Sequence, residues 1–241
     1  MESTTMLDRG RHAAPQLYEL LRRKIVSLEF SPGAPLSRIK LSNEFKVSQT
    51  PVREALLKLA EERLVDVFPQ AATKVSLIDI PFAQETHFLR RCIELEIVRE
   101  LALAHSPELL AELKAILNKQ EALRDAQNFS AFTQTDHEFH HCLYMAVGKE
   151  ALWKLVRSRS GHIDRLRRLH LPVAGKLNQI VSDHSQVFDA IVRGDPLAAQ
   201  QLLRSHLSGT LEYVEKIRAD HPQFFTAVQP MRHEELVGVA F

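Results

Sequence analysis

Asp136, His140, His184 and His206 are the residues of this 241-residue chain whose types and spacing best suit a metal ion. Asp136 and His140 stand one helical turn apart, with Phe132, Leu143, Tyr144 and Val147 on or near the same face. His184 falls between Ile180 and Val187–Phe188 at helical spacing, and His206 between Leu202–Leu203 and Thr210. Helical periodicity therefore turns all four toward an apolar interior. A buried carboxylate without a partner costs several kcal/mol, and a cation shared with facing imidazoles removes that cost. Imidazole together with carboxylate suits zinc, nickel or a similar divalent ion. Four such ligands close a tetrahedral site, or leave positions open if the ion expands its shell. A lone inward histidine is usually a hydrogen-bonded core residue; here three of the 12 histidines share one context. His137 and His141 are their sequence neighbours but face other ways, as structural or solvated residues.

A second chemistry lies in Val47–Leu64, VSQTPVREALLKLAEERL. Serine and threonine are able to cap a helix, and a proline is tolerated in its first turn. Val52, Leu56, Leu59 and Ala60 recur at helical spacing as an apolar face, and Gln49 and Arg53 share another face. Such side chains suit a DNA major groove, where Arg pairs with guanine and Gln with adenine. A solvated helix face has the same pattern. Arg157, Arg159, Arg165, Arg167 and Arg168 form a further basic cluster, read either as a solvated face or as carboxylate recognition.

The elements that position these residues are helices. The chain is 45% hydrophobic and 25% charged with a formal net charge of +1, ordinary for a globular protein. No apolar run approaches the ~20 residues of a membrane span, no secretory apolar segment opens the chain, and a cytoplasmic protein is expected. Cys92 and Cys142 are expected to be buried thiols rather than a disulfide. Residues 1–14 are expected to be a flexible lead-in. Leu17, Leu20, Leu21, Ile25 and Leu28 predict a first helix carrying Arg22, Arg23 and Lys24. A turn at Ser31–Pro35 follows, then a helix from Arg38 to Phe45 on Ile39, Leu41 and Phe45, then the Val47–Leu64 helix. Val65–Phe68 and Thr73–Leu77 alternate like the strands of a hairpin. Residues 15–78 thus read as a winged helix-turn-helix. Residues 79–220 read as an all-α antiparallel bundle of six helices, with Phe82, Phe88, Leu89, Ile93, Ile97 and Leu101 on the buried side of the first. Its other helices are expected at Ser106–Asp125, Ser130–Val147, Glu150–His170, Lys176–Arg193 and Leu197–Ala219, and residues 221–241 as a loose tail.

Pro32-Gly33, Leu36, the string Val47-Ser48-Gln49-Thr50-Pro51-Val52-Arg53-Glu54-Ala55-Leu56 and the downstream Leu-Ala-Glu-Glu-x-Leu-Val resemble the GntR family of bacterial transcription regulators. The resemblance implies dimeric operator binding, with Arg38, Ser48, Gln49, Thr50, Arg53 and the wing residue Lys74 toward DNA. Gln49 stands where an arginine is common, Arg63 where a helix-ending glycine is usual, and Ala71-Ala72 where an Arg-Gly wing tip is common. These departures bear on the operator sequence rather than the fold. From Asp79 to Ala219 the chain resembles the FCD effector domain of the FadR-type subfamily. Asp136-x-x-Phe139-His140-x-x-Leu143, His184-x-x-x-Phe188-x-Ala190-Ile191, and Gly194-Asp195 with Ala198 leading to His206-Leu207 carry that likeness. By that resemblance Asp136, His140, His184 and His206 are metal ligands. Arg90, opening Arg90-x-x-Ile93-Glu94, stands where an arginine often lines the effector pocket; a surface salt bridge with a nearby glutamate is the other reading.

The expected function is a dimeric regulator whose bundle binds a divalent metal (zinc or nickel) and a small carboxylate that modulates operator affinity. The alternative is a metal-dependent hydrolase with an appended winged-helix module, using Glu138 as base. Glu138 lies two residues from Asp136 and so on a different helix face. A metal-free dimerisation bundle is the third reading.

Overall fold

In the computed structural model, residues 7–8, 10–68 and 73–226 are described. The chain opens with α1 (Ala13–Val26), β1 (Pro35–Leu36), α2 (Arg38–Phe45), α3 (Gln49–Glu61), β2 (Val65–Asp66) and β3 (Thr73–Val75). The sheet order is β1-β3-β2, antiparallel, with Pro35 opposite Lys74 and Val65 opposite Val75. β1 falls inside the stretch read as a turn, because two residues are too few to show alternation. Leu17, Leu21 and Ile25 of α1 pack with Val52, Leu56 and Leu59 of α3 in one core. Ile39, expected in that core, is 61% exposed, since Leu41 and Phe45 supply the inward face of the short α2. The wing tip Ala71-Ala72 lies outside the described residues.

The helical part comprises α4 (Ile80–Leu103), α5 (Pro107–Asp125), α6 (Phe129–Ala146), α7 (Glu150–Arg159), α8 (Gly161–His170), α9 (Lys176–Val192), α10 (Pro196–Ser208) and α11 (Val214–Asp220). Local chemistry sets its boundaries. Ser106 accepts from the Leu109 amide with Pro107 at the first position, and Asp195 accepts from Ala198 with Pro196 in the same role. Gly194, at φ 67°, ends the helix before it.

Two helices read as continuous are broken. The Glu150–His170 stretch bends at Ser160–Gly161, where a Cβ on Gly161 would stand 2.4 Å from Leu64 Cδ2. The Leu197–Ala219 stretch breaks at Gly209 into a 3-10 turn before α11. Phe88, expected on the buried side of α4, is 69% exposed, and Cys92 beside it is exposed too. Phe82, Ile97 and Leu101 are buried as expected, and His87, Arg90 and Glu94 join them on the buried face of α4. The tail expected to be loose is anchored at its start: Phe225 is buried and bridges to Ile78. At the other end Asp8 bonds Gln16, so order begins before the expected lead-in ends.

Candidate metal centre and nucleic-acid interface

Asp136 and His140 come from α6, His184 from α9 and His206 from α10. All four are buried, and one ligand atom from each lies within 4.8 Å of the others. His184 Nε2 is 3.0 Å from His206 Nε2, which is 3.4 Å from His140 Nε2; Asp136 Oδ1 is 3.7 Å from His184 Nε2. Ligand atoms held at about 2.0–2.1 Å from one ion stand roughly 3.0–3.4 Å apart, so the cluster has the size of a coordination shell.

Protons argue the same way. His206 Nδ1 faces Asp183 Oδ2 at 3.4 Å, His184 Nδ1 faces Gln120 Oε1 at 2.9 Å, and His140 Nδ1 lies 2.9 Å from Glu94 Oε2 at an oblique angle. An acceptor at each Nδ1 favours the Nδ1–H tautomer and leaves a lone pair on each Nε2. Burial first, then neighbouring imidazoles, holds His184 and His206 well below the usual histidine range and so neutral. Burial opposes the Asp136 carboxylate, but the Arg167 guanidinium beside it outweighs that and holds it below the usual carboxylate range. Three imidazole nitrogens and a carboxylate oxygen facing one point are a donor set that could hold a divalent metal.

Asp136, His206 and Arg167 wall a cavity with Phe132, Thr133, His137, Asp164, Lys176 and Thr210; its volume is about 30 Å³ and it opens to solvent. Arg167 Nη1 is 3.4 Å from Asp136 Oδ2. Arg90 is not among these walls. Its guanidinium is buried against Glu94 at 2.8 Å, so the salt bridge with a nearby glutamate is present but lies in the interior rather than on the surface. The fork is filled by Glu94, which also contacts His140 and accepts from Tyr144. Spacing had placed Arg167 in a general basic cluster, and His137 away from the site. His137 stands 3.6 Å from Asp164 on the cavity wall, while His141 packs on Trp153. Glu138 pairs with Lys119 at 2.8 Å and does not line the cavity.

From Asp164 a bonded path leads to the recognition helix. Ser160 Oγ donates to Asp164 Oδ2 at 2.6 Å and Arg157 to the same oxygen at 3.1 Å. Arg22 of α1 donates to the Arg157 carbonyl at 2.5 Å and to Ser160 Oγ at 3.3 Å. Its Nε is 2.9 Å from Glu62, the C-cap of α3, which also accepts from Tyr18. Arg63, standing where a glycine was expected, does take positive φ, at 58°. Its carbonyl accepts from Ser76 and lies 3.0 Å from His162 Nε2, and its guanidinium lies over Phe82, contacts that offset the αL cost.

Arg38, Ser48, Gln49, Thr50, Arg53 and Lys74 are all exposed. Gln49, Thr50 and Arg53 occupy the first turns of α3, Ser48 precedes them, Arg38 opens α2 and Lys74 sits on the central strand. The buried set Val52, Ala55, Leu56 and Leu59 faces the opposite way.

Residues 13–75 match the bacterial regulatory proteins of the gntR family, and residues 85–209 match the FCD domain. The chain belongs to the GntR family. Over 231 residues this GntR protein is 35% identical to an HTH-type transcriptional regulator in an unstable DNA locus of Streptomyces ambofaciens, covering 95% of this chain and 97% of that one. Over 226 residues it is 28% identical to the HTH-type transcriptional repressor RspR of Escherichia coli, covering 94% and 99%. The structure of E. coli McbR/YncC shares the fold, with a TM-score of 0.75 at 20% identity over 86% of this chain and 98% of that one. The protein is therefore a DNA-binding transcription regulator rather than an enzyme. No helix among the described residues is long and apolar enough to cross a membrane.

Proposed function

We propose that this regulator is a repressor acting as a homodimer on a symmetric operator. Asp136, His140, His184 and His206 hold a zinc or nickel ion, and a small carboxylate binding beside it changes operator affinity. The observation that carries the reading is the convergence of three buried imidazole Nε2 atoms and the Asp136 carboxylate, ligand atoms lying within 4.8 Å of one another. When bound, the ion supplies positive charge for an anionic ligand. Arg167, on the cavity wall, orients that carboxylate, while Arg90 steadies Glu94 behind His140. The repressor-named relative supports the direction of regulation. The exposed Phe88 and Leu155 on α4 and α7 offer apolar surface for a second copy. Ser48, Gln49, Thr50 and Arg53 read the major groove, with Arg38 and Lys74 on flanking phosphates.

The test is titration of a panel of mono- and dicarboxylic acids, sugar acids included, against metal-loaded protein on its operator. A hit is expected to move operator affinity about 5- to 150-fold and to lose its effect on chelation. A response that survives complete metal removal would place the effector elsewhere.

A further inference from the structure

Lys176 opens α9 directly after Gly175, whose φ is 81°. Its side chain is buried, with a relative exposure of only 8%, yet it walls the cavity that holds Asp136, Arg167 and His206. The one arginine on that wall has a carboxylate, since Arg167 Nη1 is 3.4 Å from Asp136 Oδ2. Lys176 has no carboxylate within 4 Å and no hydrogen-bond acceptor among the described residues. Asp183, Glu212 and Asp136 favour its charge only from beyond contact distance, so no carboxylate bonds it directly. Its neighbour is the end of α10: a Cβ on Gly209 would stand 3.1 Å from Lys176 Nζ. The carbonyl end of a helix favours a cation, but with only about half an elementary charge. Burial accordingly draws the ammonium's pKa below its usual value.

We propose that Lys176 is the second anchor of the effector cavity and makes it selective for a dianion, a small dicarboxylate bridging the metal centre and the Lys176 ammonium. The inference rests on the metal-and-carboxylate reading above and extends it to the ligand's charge and length. A divalent ion, Arg167 and Lys176 face Asp136 at the cavity, with Asp183 and Glu212 acting on Lys176 from farther off, while Asp164 is already committed to Arg157 and His137. A monocarboxylate at the metal leaves the ammonium as it was; a second carboxylate gives it a partner. The buried Thr210 hydroxyl, on the same wall, can donate to that carboxylate as well. Gly209 bears on the device, since a Cβ there would stand 3.1 Å from Nζ and shift the ammonium by a few tenths of an ångström.

The experiment is calorimetric titration of metal-loaded protein with malonate, succinate and glutarate, each against the monocarboxylate of equal carbon number. Metal content and melting temperature are measured on every variant. The wild type is expected to bind one of the diacids about 10-fold or more tightly than its monoacid, the worth of a charge-assisted hydrogen bond. Lys176→Met should abolish that preference while leaving monoacid binding within about 2-fold, and Gly209→Ala, which keeps the ammonium but shifts it, should reduce it. Lys176→Arg should retain part of it. If the wild type shows no preference for diacids, or if Lys176→Met weakens both classes equally, Lys176 is only a cap on α10 and the proposal falls. Failure of every carboxylate on fully metal-loaded protein overturns the underlying reading as well. Lys176-dependent diacid binding that persists without metal would overturn the metal reading and the bridge, leaving only a lysine-held diacid.

Discussion

His162 sits where the DNA-binding head, the linker and α8 meet, and acid should loosen that junction. Its Nδ1 accepts from the Asp79 amide at 2.9 Å and lies 3.0 Å from Arg165 Nη2, while Nε2 is 3.0 Å from the Arg63 carbonyl. Two donors at Nδ1 and an acceptor at Nε2 fix the neutral Nε2–H tautomer. A proton on Nδ1 would find no acceptor and would face a guanidinium. Burial first, then Arg165, pushes the imidazole from its ordinary 6.5 down to about 3. Between those values the unfolded chain binds a proton that the folded chain refuses. Stability therefore falls as pH drops through 6.5 toward 3. At about pH 5 the folded imidazole is still neutral, so the loss is set by the gap of about 1.5 pH units below the unfolded pKa, roughly 2 kcal/mol. The assay compares melts of chelator-treated wild type and His162→Gln at about pH 7, 6 and 5. Other buried histidines titrate in both proteins and cancel in the difference. The wild-type advantage should shrink by about 2 kcal/mol over this range, or roughly 4–8 °C for a chain of this size. Parallel curves for the two proteins would refute the assignment of His162 as the titrating group.

His184→Ala and His206→Ala should each lower metal content and melting temperature together, because an ion held only by the native state stabilises it; His141→Ala, on the Trp153 side of α6, should do neither. Arg53→Ala should weaken operator binding by about 1–3 kcal/mol, measured by fluorescence anisotropy against Lys114→Ala as a control on α5. Ser160→Ala removes the hydroxyl between Arg22 and Asp164. Ligand-free DNA affinity and DNA-free ligand affinity should stay near wild type, while the coupling between them loses about 0.5–2 kcal/mol; full coupling in this variant would rule out the path.

The inward direction of the four metal-site residues was legible because a helix fixes side-chain direction by spacing alone. So were the caps at Ser106–Pro107 and Gly194-Asp195-Pro196, whose chemistry is local. What spacing cannot supply is which helix packs opposite. Glu94, Gln120 and Asp183, on α4, α5 and α9, steady the three imidazoles, and no pattern within one helix points at them. The break at Ser160–Gly161 was hidden for the same reason: periodicity continues across it, and Leu64, far away in sequence, occupies the space at Gly161. Arg22 and Arg165 look like solvent residues by type, yet both are buried because backbone carbonyls of other elements accept their protons. Phe88 and Ile39 fail in the opposite sense, apolar residues at helical spacing that face outward.

Under the proposed function, a cavity event reaches DNA through the junction between head and bundle. Arg22, Glu62, Ser160, Asp164 and Arg165 are all buried there, each with specific partners. Burying charge is expensive, and a greasy interface of the same shape would hold at least as firmly. Apolar contact, however, is non-directional, and a head resting on it could shift with little change in energy. Hydrogen-bonded charge has discrete geometries: Asp164 cannot move toward a ligand without weakening its bonds to Ser160 and Arg157, which also meet Arg22. A ligand that interacts differently with Asp164 in the two head positions shifts their ratio, and one indifferent to it shifts nothing. If the cavity binds an effector as proposed, the polar character of the junction is what would let the head report on it.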